Sequence, residues 1–101
     1  MAVSCTAEDR ELSVSISGEV DHHGAKEIMA ELERQIEAGL PRRLTLDLGG
    51  VTFMDSSGIA VLLRAHQRIG ALGGAVTVRN TPAQAGKVLR AAGLDRLMKF
   101  E

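Results

Sequence analysis

Apolar and polar positions alternate at Val3, Cys5 and Ala7, and again at Leu12, Val14 and Ile16. A period of two sends successive side chains to opposite faces of a strand, so both segments predict half-buried strands. The polar stretch Glu8-Asp9-Arg10-Glu11 between them is short enough for a hairpin. The period changes beyond Gly18-Glu19-Val20-Asp21-His22-His23-Gly24. Ala25, Ile28, Met29, Leu32 and Ile36 recur at spacings of three and four, with Lys26, Glu27, Glu31, Glu33, Arg34 and Glu37 between them. That spacing predicts a helix with one apolar stripe and one wet face. Gly24 reads as its N-cap with Glu27 at N3, and Gly39 and Pro41 read as its end.

Leu44, Leu46 and Leu48 restore the period of two and predict a third strand, with Gly49 to Met54 leading out of it. A second helix is expected from about Ser56 to Gly70, its stripe formed by Ile59, Leu62, Leu63, His66 and Ile69. Gly73-Gly74 turns the chain into a strand, Ala75-Val76-Thr77-Val78. Thr81-Pro82-Ala83-Gln84 then reads as a helix start: Thr81 as cap, Pro82 at N1 and Gln84 completing a capping box. Ala85, Val88, Leu89 and Ala92 form the stripe of that helix, with Gly93 at C′. Leu97, Met98 and Phe100 suit a short last turn or an edge strand. The order β-β-α-β-α-β-α predicts an α/β domain spanning residues 1–101. Its parallel crossovers are right-handed and build a mixed sheet of four or five strands packed against helices.

Composition narrows the function. The chain has 101 residues, 12 basic and 13 acidic, for a net charge of −1. It lacks the basic excess of a nucleic-acid binder. Only 2% of residues are aromatic, so no stacking platform for single strands is available. One cysteine, Cys5, allows no disulfide within the chain and fits a reducing compartment. No apolar run is long enough for a membrane span, and the first residues lack a signal-peptide pattern. The expectation is a cytoplasmic protein with no nucleic acid and no membrane among its partners.

The densest small-polar cluster is Asp55-Ser56-Ser57-Gly58, where a strand exit meets a helix start. One reading is purely structural: Asp55 or Ser56 caps the helix and Gly58 permits close packing. The other uses the same geometry, because a helix N-terminus tolerates the charge of a phosphoserine. A catalytic Ser56 or Ser57 lacks the Gly-x-Ser-x-Gly elbow. Gly86-Lys87 and Gly70-Ala71-Leu72-Gly73-Gly74 match neither nucleotide-binding fingerprint, so no cofactor is expected. His22 and His23 have no second ligand cluster and imply no metal. His66 reads as a partly buried histidine, and Cys5 as a small core residue.

Gly18-Glu19-Val20-Asp21-His22-His23, then Phe53-Met54-Asp55-Ser56-Ser57-Gly58-Ile59, then Gly73-Gly74 before a strand, form a pattern covering essentially the whole chain. It resembles the bacterial anti-sigma factor antagonists, single-domain STAS proteins, and among them the sporulation type that opposes the anti-sigma factor of the forespore sigma factor. The resemblance implies a regulated target and not an enzyme. Its partners would be an anti-sigma factor with serine kinase activity and a PP2C-type phosphatase. ATP would be bound by that kinase and not by this chain. Ser56 would be the phosphorylated residue, flanked by Asp55, Ser57 and Gly58. Asp21, His22, His23 and Gly24 would border the partner-binding surface as a loop. Relatives commonly carry Thr or Ser in place of Gly24, which implies a helix cap weaker by roughly a few tenths of a kcal/mol. Against that resemblance, the expectation is also that a longer C-terminal tail after Glu101 is absent. The alternatives are a STAS domain of another partner-switching circuit or a STAS-like subunit of a lipid-transport complex.

Overall fold

The computed structural model describes residues 2–101. Strands β1 (Ala2–Glu8) and β2 (Glu11–Val20) form the expected hairpin. Its two connecting residues, Asp9 and Arg10, both have positive φ, at 49° and 62°. That backbone matches the twist of a two-residue hairpin. Helix α1 (His22–Gly39) leads to β3 (Arg43–Met54), α2 (Ser57–Ala71), β4 (Ala75–Arg79) and α3 (Ala83–Ala91). A 3-10 turn (Leu94–Arg96) precedes the short strand β5 (Lys99–Phe100). The five strands lie in the order β1-β2-β3-β4-β5, antiparallel at the first pair and parallel elsewhere.

Alternation decides which face is covered. Leu12, Val14 and Ile16 of β2, Leu44, Leu46 and Leu48 of β3, and Val76 and Val78 of β4 are buried in one cluster with the helix stripes. The intervening Ser4, Thr6, Ser13 and Ser15 are exposed. The molecule therefore has two layers: helices on one face of the sheet, water on the other. Cys5 packs against this core. Burial raises its thiol pKa, with Glu31 adding to the effect and Arg34 opposing it. A thiol so held stays protonated at neutral pH.

The first helix ends at Gly39 as expected, with Leu40 in the left-handed region (φ 44°), because Pro41 bars continuation one residue later. Three local expectations change. The N-cap of α1 is Asp21, not Gly24, which sits inside the first turn. The buried stripe of α2 is Gly58, Val61, Leu62, Ala65 and Ile69, with Ile59, Leu63 and His66 half-buried. This helix is apolar on most sides, so periodicity alone does not set its rotation. The capping box of α3 does not form. Pro82 takes the cap position in extended backbone, and buried Thr81 Oγ1 has no hydrogen-bond partner among the described residues.

Candidate functional site

β2 and β3 end side by side. Val20 pairs with Met54, and the next amide, Asp55 N–H, donates to Val20 O (3.1 Å). Both strands run longer than the alternation of their first halves predicts. Register shifts between Ser15 and Ser17 and between Gly18 and Glu19 interrupt the pattern. Gly18 takes φ 87° at the second shift, a conformation glycine adopts without a Cβ penalty. Two helices consequently begin next to each other at the C-terminal edge of the sheet, each preceded by an aspartate.

At α1, Asp21 Oδ1 accepts from Gly24 N–H (2.8 Å), and Asp21 O accepts from Ala25 N–H (2.8 Å). His22 and His23 are exposed in the first helical turn, not in a loop. His23 Nε2 lies 3.4 Å from Glu27 Oε1, with both side chains open to solvent. Gly24 is buried. Because Asp21 supplies the cap, glycine at position 24 does not weaken it. Asp21→Ala is expected to cost about 1 kcal/mol, read as a melting temperature lower by ~4–8 °C. Asp21→Asn keeps an accepting oxygen and is expected to melt near wild type.

At α2, Asp55 Oδ1 accepts from Ser57 N–H (2.8 Å), Asp55 O from Gly58 N–H (3.1 Å) and Ser56 O from Ile59 N–H (3.1 Å). Ser56 occupies the cap position, yet its hydroxyl makes no capping bond and the residue is exposed. Asp55 does the side-chain capping. The two sequence readings of this cluster thereby divide between neighbours, and Ser56 Oγ has no structural duty. Gly58 is buried against Met54: an added Cβ would lie 2.5 Å from Met54 Cγ and Sδ.

The strand pairing thus brings together the two clusters that the resemblance names: Asp21, His22, His23 and Gly24 on one strand exit, Asp55, Ser56, Ser57 and Gly58 on the other. Glu19, Asp21, Glu27, Thr52 and His23 line a shallow groove at the same edge. Among the described residues no group of three potential metal ligands gathers, and no helix is long and apolar enough to cross a membrane. A family model for the STAS domain matches residues 3–101. The chain belongs to the STAS domain family. The structure of the anti-sigma factor antagonist SpoIIAA in its unphosphorylated form is similar, with TM-score 0.86 and 26% identity, covering 99% of this chain and 88% of that one. The phosphorylated form of the Bacillus cell fate determinant SpoIIAA matches with TM-score 0.77 and 26% identity, over 99% and 91% of the two chains. The anti-sigma F factor antagonist of Paenibacillus polymyxa is 31% identical over 87 residues, 86% of this chain and 74% of the relative.

Two residues next to these clusters complete the description. Phe53, one of two aromatics in the chain, is 45% exposed beside the Asp55 turn. After the two register shifts it lies on the same outward phase of β3 as Arg43, Thr45 and Asp47, opposite buried Met54. Gln84 does not bond to its own helix start. Its side-chain amide pairs with the backbone of Met54, 30 residues away in sequence.

Proposed function

We propose that this STAS domain is an anti-sigma factor antagonist switched by phosphorylation of Ser56. Unmodified, it binds an anti-sigma factor through the paired helix starts at Asp21–Gly24 and Asp55–Gly58, and so frees the sigma factor. Phosphorylated, it releases its partner. The anti-sigma factor is itself the serine kinase and supplies the ATP, and a PP2C-type phosphatase restores the free hydroxyl. In this reading the chain performs no catalysis and acts in the cytoplasm.

The observation that carries the reading is the spare hydroxyl. Ser56 is exposed, and Asp55 caps the helix in its place. A serine that capped its helix would lose that bond on phosphorylation. Here modification costs the fold no hydrogen bond. The relatives' name and the two forms of SpoIIAA point to the same role.

The test is to incubate the protein with ATP and the serine-kinase anti-sigma factor of the same genome, then locate the phosphate by mass spectrometry. One phosphoryl group on Ser56 is expected, and none on the Ser56→Ala variant. Equal incorporation into Ser56→Ala would move the acceptor elsewhere, with Ser57 the next position to examine.

A further inference from the structure

β3 outruns its neighbour. Its pairing with β4 covers only Arg43 to Asp47, while the strand continues to Met54. On the other side β2 accompanies it to the end, through the Val20–Met54 pair. The last seven residues of β3, Leu48 to Met54, therefore have a free outer edge. Backbone groups along a strand face alternate sides. Asp55 N–H turns toward β2 to reach Val20 O, so Met54 N–H and O face the unpaired edge. There Gln84, in the first turn of α3, meets both. Its Oε1 accepts from Met54 N–H at 2.8 Å, and its Nε2 donates to Met54 O at 2.8 Å. A carboxamide has the donor and acceptor of a peptide group side by side. Gln84 thus supplies the pair of bonds that a further strand residue would make.

Met54 is the residue from which the Asp55–Ser56 turn departs, and Asp55 caps the helix that carries Ser56. We infer that Gln84 is a positioning residue for Ser56: its amide stands in for the absent strand, fixes the exit of β3, and thereby holds the hydroxyl in one place. That Ser56 is the phosphoacceptor rests on the proposed function; that Gln84 holds the turn does not. A second consequence is coupling. The start of α3 is tied directly to the site, so a disturbance of α3 reaches Ser56 through one side chain.

The experiment has an arm for each part. Amide exchange and chemical shifts of Met54 to Ser57 are measured by NMR in wild type, Gln84→Leu, Gln84→Glu and Thr81→Ala. Gln84→Leu keeps the bulk without the amide. It is expected to lower protection of Met54 N–H at least tenfold and to shift Asp55, Ser56 and Ser57, while Leu46 keeps its protection. Thr81→Ala alters the same helix start without removing a hydrogen bond to Met54 and should leave those signals in place. Gln84→Glu adds a signature that loss of packing would not produce. Its carboxylate accepts from Met54 N–H but has no proton for Met54 O. On acidification the neutral carboxyl can do both, so Met54 should return toward its wild-type signal. Unchanged Met54 to Ser57 signals in Gln84→Leu, or an equal change in Thr81→Ala, would overturn the inference.

The second arm measures Ser56 phosphorylation by the same serine-kinase anti-sigma factor with ATP. A misplaced acceptor slows the reaction more than it weakens docking. Gln84→Leu should lower kcat at least tenfold with KM within about threefold. If wild type is phosphorylated on Ser56 and Gln84→Leu matches its kcat, the positioning role fails. If wild type is not phosphorylated on Ser56, the proposed function fails, and the NMR arm alone decides whether Gln84 holds the turn.

Discussion

Phosphorylation of Ser56 is expected to weaken binding to the anti-sigma factor by at least tenfold, about 1.4 kcal/mol, while moving the melting temperature by less than about 10 °C. The two halves of this result have one cause. Ser57, Gly58 and Ile59 N–H already have partners in the unmodified chain. A phosphate on Ser56 finds the helix start largely satisfied, and its favourable interaction with the helix dipole, about 0.3–1 kcal/mol, is opposed by the neighbouring Asp55 carboxylate. Nothing in the fold has to rearrange.

A docked partner meets the opposite situation. It must cover an exposed group that now carries about −1.5 to −2 charges beside Asp55, at an edge that also holds Glu19, Asp21 and Glu27. Burying a charge without a matched counter-charge is costly. On a chain of net charge −1 the modification more than doubles the negative charge. Calorimetry separates charge from bulk. Ser56→Asp should weaken binding, though less than phosphate because it carries a single charge. Ser56→Asn, of matching size and no charge, should bind closer to wild type. If the asparagine and aspartate variants lose affinity equally, crowding and not charge drives release. A melting shift well above 10 °C on phosphorylation would mean that the fold itself is the switch.

The fold was legible wherever one face of a strand or helix is wet. Leu44-Thr45-Leu46-Asp47-Leu48 could hardly be anything but a half-buried strand. Past Leu48 the same strand buries Val51 and Met54 at a spacing of three, because bulged pairing with β2 breaks the alternation. A period-two template therefore stops at Leu48, six residues short of the end of β3. The caps failed for a related reason. Asp21 and Gly24 are both acceptable cap residues, and only the end of β2 at Val20 decides between them. At Asp55-Ser56 the sequence narrowed the cap to two neighbours, and the geometry chose the first. The choice of Ser56 over Ser57 as the proposed acceptor rests on resemblance, since the local pattern offers both serines. Gln84 was out of reach altogether: its spacing from Thr81 suits a capping box, and its actual partner is defined by the length difference between two strands.

Gly58→Val is expected to lower stability by about 3 kcal/mol, and the melting temperature by about 12–24 °C. This lies at the upper end of the usual cost of overpacking, for a structural reason. The new Cβ would lie 2.5 Å from Met54 Cγ and Sδ, so one partner must move. Met54 is only 1% exposed and belongs to the buried cluster. Its backbone is held by Gln84 on one edge, and the next residue is held by Val20 on the other. Gly58 lies in the first turn of α2, so a shift of the helix instead would carry Ser56 with it. Replacing glycine inside a helix recovers less than about 1 kcal/mol of propensity, too little to offset the clash. A double-mutant cycle with Met54→Ala checks the cause. Removing the methionine side chain empties the space that the valine needs, so the two losses should combine to less than their sum by about 1 kcal/mol or more. Strict additivity would show that the cost of the valine arises elsewhere. Coupling would show that Gly58 is required for its fit against Met54, on the strand end that Gln84 holds and from which Ser56 is presented.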